Sequence, residues 1–390
     1  MGWSMAVIVI GGGIGGLESA IYLRKYGFEV TLISDRDYLY LYPTSIWIPV
    51  AKRSFEEVSL PLKDFAQKHG FDLIIDSVTK IDVKAKELTL KSGKQPFETL
   101  VIAMGSGKMK VEGKDHAPSI CGKPGESLVL KSQLDALIEK GSGVISMGFG
   151  GNPHDTSAVR GGPAFEMIFN VHNYLKRLKL RDKFELNFFA PMERPGQKMG
   201  DKAVDMMIKT FTKQNINMYF GKKIDKFSSE GVHFADETVL KSDLNMFIAA
   251  GAGHPVILES ALPVTDAGFL KINDECQVEG HEDIYAIGDV AAIQGAQWRA
   301  KQGHLAEAMG RAVAYNLKNI SDGKAKRHTY KDHMNIICLM DNGKNAALVY
   351  RSQKRAMMLP LPIVGHHLKK AWGWYYKNSK LKRFPRIPGM

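Results

Sequence analysis

Three cysteines, Cys121, Cys276 and Cys338, lie far apart in a chain of 390 residues. They are too few and too scattered for a disulfide framework or a zinc site, so any role for them is redox or covalent. Glu166 stands in the apolar run Ala164-Phe165-Glu166-Met167-Ile168-Phe169. Desolvation there raises a carboxyl's pKa and lets it move protons at neutral pH, the ordinary alternative being a solvent-facing or capped glutamate. His172 reads as structural. Lys301 precedes a helix expected over 302–316 and is either a cation beside a bound ring system or a surface lysine. The rings of Tyr38, Tyr40 and Tyr42, with Trp47 beyond Pro43, either pack in the core or lie against a cofactor.

These residues need elements to position them. Ala6-Val7-Ile8-Val9-Ile10 is a β-branched run that reads as a buried parallel strand, and Leu17 onward as a helix. Between them, Gly11 permits a tight turn, Gly13 lets backbone approach a phosphate, and Gly16 lets strand and helix pack closely. The helix N-terminus attracts the anion. A second strand, 28–33, ends at Ser34-Asp35-Arg36, near the spacing of a ribose-binding acid. Leu100-Val101-Ile102-Ala103-Met104-Gly105 is another buried strand with a small-residue end. Ile284-Tyr285-Ala286-Ile287-Gly288-Asp289 brings a further Gly-Asp edge whose acid can accept from a sugar-alcohol hydroxyl.

A second strand and glycine turn, Gly143 to Gly151, runs into Asn152-Pro153-His154 instead of opening a helix. The helix starts only near Gly162-Pro163, and the next strand, 184–189, ends in Ala190-Pro191-Met192 with no acid. A pyrophosphate there loses its donors and a ribose its acceptor, which argues against NADH.

The net charge of +12 is uneven: from Arg351 to residue 390 there are ten lysines and arginines and no acid. After Pro360-Leu361-Pro362, Val364, Leu368, Trp372 and Tyr375 recur at helical spacing, with Lys369, Lys370 and Lys377 off that stripe. Such a helix suits an anionic membrane surface, with packing on the protein body as the alternative, and nucleic acid is disfavoured. No apolar run is long enough to span a bilayer and no signal peptide is evident, so the expected location is the cytoplasmic side of the cell membrane, peripherally attached.

Together, the first glycine turn with Ile33-Ser34-Asp35-Arg36, the Ala103-Met104-Gly105 strand end and Ala286-Ile287-Gly288-Asp289 resemble FAD-dependent oxidoreductases with two dinucleotide domains. Ser119-Ile120-Cys121, Gly162-Pro163-Ala164-Phe165-Glu166, Ala300-Lys301-Gln302-Gly303 and Ile337-Cys338 resemble sulfide:quinone oxidoreductases and the flavoprotein subunit of flavocytochrome c sulfide dehydrogenases. The resemblance implies an α/β fold of two Rossmann-like domains. A discontinuous FAD-binding domain (1–112 and 263–325) would flank a degenerate NADH-type domain (113–262), with an amphipathic membrane-binding region over 326–390.

It implies FAD bound by Gly11, Gly13, Gly16, Ser34, Asp35, Arg36, Ala103, Gly105, Gly288 and Asp289, with Lys301 near the ring. Cys121 matches a cysteine bonded to the flavin methyl in some members, and Cys338 one of two sulfur-handling cysteines. The other is replaced by Val159-Arg160-Gly161. Cys121 then pairs with Cys338, or Cys338 forms a persulfide alone, or sulfide oxidation is lost; Arg160 suits an anionic substrate or a polar lid. The expected partners are membrane quinone, a reduced sulfur compound and possible further copies of the chain. The alternatives are a type II NADH:quinone oxidoreductase and an electron-transfer subunit docking a cytochrome.

Overall fold

The computed structural model describes residues 5–387. Strands β1 (Ala6–Ile10), β2 (Glu29–Ser34), β3 (Asp72–Ile75) and β4 (Thr99–Ile102) are joined, far along the chain, by β9 (Ile284–Ala286) in one sheet of order β9-β4-β1-β2-β3. All its pairings are parallel, with Val9 opposite Leu32 on one side and Val101 on the other. Val9 is sealed on both faces, which is why β1 carries no polar residue.

Strands β5 (Gly143–Phe149), β6 (Phe184–Ala190), β7 (Ile216–Phe220) and β8 (Leu244–Ile248) form a second parallel sheet, order β7-β6-β5-β8. Aromatic rings fill the layer beside it, Phe165 stacking on Phe188 at 4.8 Å.

Four helices matter for the site. α1 (Ile14–Lys25) follows the first glycine turn, and α3 (Gly303–Ser321) packs across it so closely that a Cβ on Gly310 would lie 3.0 Å from the Gly15 carbonyl oxygen. α2 (Gly162–Arg177) opens with Pro163 in its first turn, the start expected from the sequence.

Beyond α3, β10 (Ile336–Asp341), β11 (Ala346–Arg351) and β12 (Ala356–Leu361) make an antiparallel sheet, and α4 (Val364–Lys380) lies against it. The face α4 buries is not its apolar one. His366, Lys369, Tyr376 and Lys380 are buried, while Ile363, just before it, and Val364 are 64% and 58% exposed, with Leu368 and Trp374 also outward. Lys369 therefore leaves the solvent face expected for it, because a buried carboxylate waits on the body. Among the described residues no helix is long and apolar enough to cross a membrane.

Candidate functional site

A continuous cavity of about 2790 Å³ runs from the first glycine turn past the 150–161 loop to α4. This exceeds the roughly 300–1,000 Å³ of an ordinary ligand pocket and leaves room for an extended cofactor and a second molecule.

The glycine turn is shaped for close approach. Gly11 has φ +106°, and a Cβ on it would lie 2.4 Å from the Ala103 carbonyl oxygen; one on Gly16 would lie 1.9 Å from that of Gly11. At Gly13, which caps α1, a Cβ would meet no protein atom within 4 Å. This cradle fits a pyrophosphate against the α1 N-terminus. Asp35, ion-paired with Arg36 at 3.3 Å, lines the cavity with Ala103, Gly105 and Gly288. Ser34 does not: its buried hydroxyl donates to the Arg36 carbonyl at 2.6 Å, so it shapes the turn instead of reaching a ligand.

The second glycine turn lines the same cavity but is braced from within. Buried Asn152 donates to the Gly251 carbonyl at 2.8 Å and accepts from the His154 amide at 2.9 Å, folding the loop back on itself. A Cβ on Gly151 would sit 3.4 Å from the Met192 methyl. The amides of His154 and Asp155 are thereby spent on the Asn152 side chain, and no α-helix opens between the turn and Gly162 to offer a dipole to a second pyrophosphate.

Glu166 is buried on α2 and joined to a network the sequence did not reveal. Its Oε1 accepts from the Lys369 ammonium and from the Asp341 amide at 2.7 Å. Lys369 also donates to the Leu339 carbonyl at 3.1 Å. Asp341 takes His366 Nδ1 at 2.5 Å and Trp47 Nε1 at 3.0 Å, while Asn170 donates to the carbonyls of Glu166 and Asp341 at 2.9 Å each. Burial pushes the Glu166 carboxyl above the usual range, with Lys369 pulling against it; at Asp341 the His366 and Trp47 bonds outweigh burial and hold the carboxyl low. Trp47 is thus a buried anchor, not a ring against the cofactor.

Cys338 lies on β10 beside this pair, and Cys121 precedes the helix Glu126–Lys140; both line the cavity and neither is disulfide-bonded, so the Cys121–Cys338 pairing is not made here. Burial pushes the Cys338 thiol up to about 12, Glu166 adding to it. Burial also raises Cys121, opposed by Arg160 and Lys108. Cys276 is sealed in the core away from the cavity. Lys301 is no surface lysine: its ammonium donates to the carbonyls of Asp289, 2.8 Å, and Ala291, 2.5 Å, and sits 3.4 Å from the Phe269 ring centre. Burial draws its pKa well down. Arg160 pairs with Asp289. His172 accepts from Arg181 at 2.9 Å, a structural bond.

The missed residues carried a signal. His366, Lys369, Gly373, Tyr376 and Lys380 follow one another at steps of three and four, one face of a helix. That face is polar, so a search for an apolar stripe passes over it.

The family model for pyridine nucleotide-disulphide oxidoreductase matches residues 5–310. The sulfide-quinone reductase of Aquifex aeolicus is 27% identical over 402 residues, covering 97% of this chain and 90% of that protein. The type II NADH:quinone oxidoreductase of Staphylococcus saprophyticus is 24% identical, covering 88% and 89%. Among solved structures, the sulfide:quinone oxidoreductase of Aquifex aeolicus superposes with a TM-score of 0.86 at 24% identity, covering 97% of this chain and 92% of that one. NDH2 of Plasmodium falciparum gives 0.77 at 14%, covering 99% and 100%. With this family match over residues 5–310 and the glycine cradle of its first turn, the chain belongs to the pyridine nucleotide-disulphide oxidoreductase family and is an FAD-dependent oxidoreductase.

Proposed function

We propose that the protein oxidises a reduced sulfur compound and passes the electrons to a membrane quinone, working as a peripheral enzyme on the cytoplasmic face. The observation that carries this reading is a single cavity lined by Cys338, by the buried Glu166–Lys369 pair whose charges act on its thiol, and by Leu368, Trp372 and Tyr375. A thiol, a proton-handling pair and an aromatic, apolar mouth are what sulfur chemistry and a lipid-soluble acceptor need. The likeness to the Aquifex aeolicus sulfide-quinone reductase supports it.

Bound FAD supplies two-electron exchange. Gly13 and the α1 N-terminus hold its phosphates, Asp35 its ribose and Asp289 its sugar-alcohol chain. Once its thiol loses a proton, which the adjacent Glu166 carboxylate is placed to take, Cys338 would bond to the donor's sulfur, the two electrons released passing to the bound FAD. Lys369 keeps that carboxylate in position and shares the protons a reduced quinone requires. Lys301, held by two carbonyls, fixes the Gly288–Val290 turn from beneath.

The exposed residues Ile337, Met357, Leu359, Ile363, Val364 and Trp374 support a membrane-facing surface, and the cations from Arg351 onward support an anionic one. The NADH-oxidising alternative is disfavoured by the Asn152 fold-back and by an α-helix that opens only at Gly162, well past the second glycine turn. Visible spectra under argon test the choice. Sulfide is expected to bleach the flavin, a short-chain quinone to restore it, and NADH to leave it yellow; rapid bleaching by NADH alone overturns the reading.

A further inference from the structure

Lys108 ends a two-residue strand, Gly107–Lys108, that pairs with Gly251–Ala252. At Gly251 this strand meets the loop leading to Arg160: a Cβ there would lie 2.9 Å from Ser106 Oγ and 3.4 Å from Ala158 Cβ. Lys108 and Arg160 both line the cavity with Cys121, and of all charges they pull most on its thiol. Among the described residues the Lys108 ammonium has no ion pair and no hydrogen bond, although burial draws it down to about 8. Arg160 has one acidic partner, Asp289.

That partner has a second claimant, since Asp289 is placed to hold the cofactor's sugar-alcohol chain. The other acids nearby are committed. Glu126 accepts from the amides of Ser119, 2.9 Å, and Lys123, 2.8 Å, and from Lys114 at 3.1 Å; Asp155 accepts from the Ser157 amide at 2.8 Å; Glu166 holds Lys369. With Asp289 engaged by the cofactor, two half-buried cations face the cavity with no protein acid to answer them, an arrangement that a ligand's negative charge would stabilise.

We propose that Lys108 and Arg160 form an anion site on the sulfur side of the cavity, and that it takes a divalent sulfur oxyanion carrying its own sulfur–sulfur bond, the thiosulfate class. The planar fork of Arg160 and the point charge of Lys108 match several acceptor oxygens on a dianion; hydrosulfide, with one charge and no oxygen, uses neither well. The bond within the ligand removes the need for a second thiol: attack of the Cys338 thiolate on the outer sulfur breaks that bond, leaves a persulfide on Cys338 and releases sulfite, with no oxidant consumed in the step. The inference rests on the sulfur reading above and narrows its substrate.

Calorimetric titration of the holoenzyme with thiosulfate, and with sulfate as a redox-inert competitor, tests it, FAD content per chain being measured alongside. Thiosulfate should bind, sulfate should compete, and Arg160→Met and Lys108→Met should each weaken binding by about tenfold or more, with Arg160→Lys in between. The proposal is overturned if neither anion binds, if the variants bind as the parent does, or if they lose FAD with anion affinity unchanged, the cations then serving the cofactor alone. Sulfide bleaching without anion binding removes this proposal and leaves the sulfur reading. Arg160-dependent thiosulfate binding with no flavin reduction by any sulfur donor does the reverse.

Discussion

At the residue scale, Glu166 and Lys369 are each intelligible only through the other. Both are about 5% exposed, so removing one partner leaves an unanswered charge in the interior. Lys369→Met is expected to cost about 3–5 kcal/mol in denaturant unfolding. Glu166→Gln, of nearly the same shape, should slow both flavin reduction by sulfide and quinone-dependent reoxidation by about 10²-fold or more, measured by stopped-flow. Cys338→Ser should abolish reduction by sulfide while the spectrum of the oxidised protein stays unchanged; reduction at the parental rate would remove the sulfur role from this residue. Glu166 could be singled out in the sequence because a carboxylate amid apolar residues is conspicuous. Its partner could not, since Lys369 lies 203 positions away and looks like any lysine of a basic tail.

At the scale of elements, the first strand-turn-helix was legible because every residue type in it serves a local constraint. The glycines divide those constraints cleanly. Gly16→Ala sets a methyl against the Gly11 carbonyl and should destabilise the fold by at least about 1–3 kcal/mol. Gly13→Ala meets no protein atom, so the variant should fold with parental stability yet retain FAD poorly, read as the ratio of flavin to protein absorbance. α4 was only half legible. Its helical period was plain, but which face turns inward depends on Glu166, Asp341 and Glu18, carried by other elements. Ser34 was misplaced for a related reason, since sequence spacing does not reveal that a hydroxyl will bond the backbone two residues on.

At the scale of the whole molecule, the described C-terminal segment is riveted to α1 and α3 beside the first sheet as well as to Glu166 on α2. Glu18 on α1 is wholly buried and accepts from Lys380, from Arg386 at 2.7 Å and from Arg311 at 2.9 Å, and Lys380 also reaches Glu307 on α3 at 2.6 Å. Burial alone would raise the Glu18 carboxyl; Lys380 and Arg386 outweigh it and hold it at about 2. A carboxyl held below its ordinary 4.5 adds stability that is complete above that pH and fades as pH falls towards 2. Unfolding free energies measured down that range should show this loss, and Glu18→Gln should flatten it. The outward residues of the same segment lead to a separate expectation: Ile363→Glu and Trp374→Glu should weaken binding to anionic vesicles in a flotation assay, and added salt should weaken it further.

The Glu18–Lys380 bond spans 362 positions, and this gives the maturation of the protein an order in time. On the ribosome the first helix emerges long before the cations that satisfy its carboxylate exist. Until they arrive, the wall behind the flavin's phosphates has no settled neighbour. Chains truncated before Lys380 should therefore be isolated with little pigment, read as flavin bound per polypeptide.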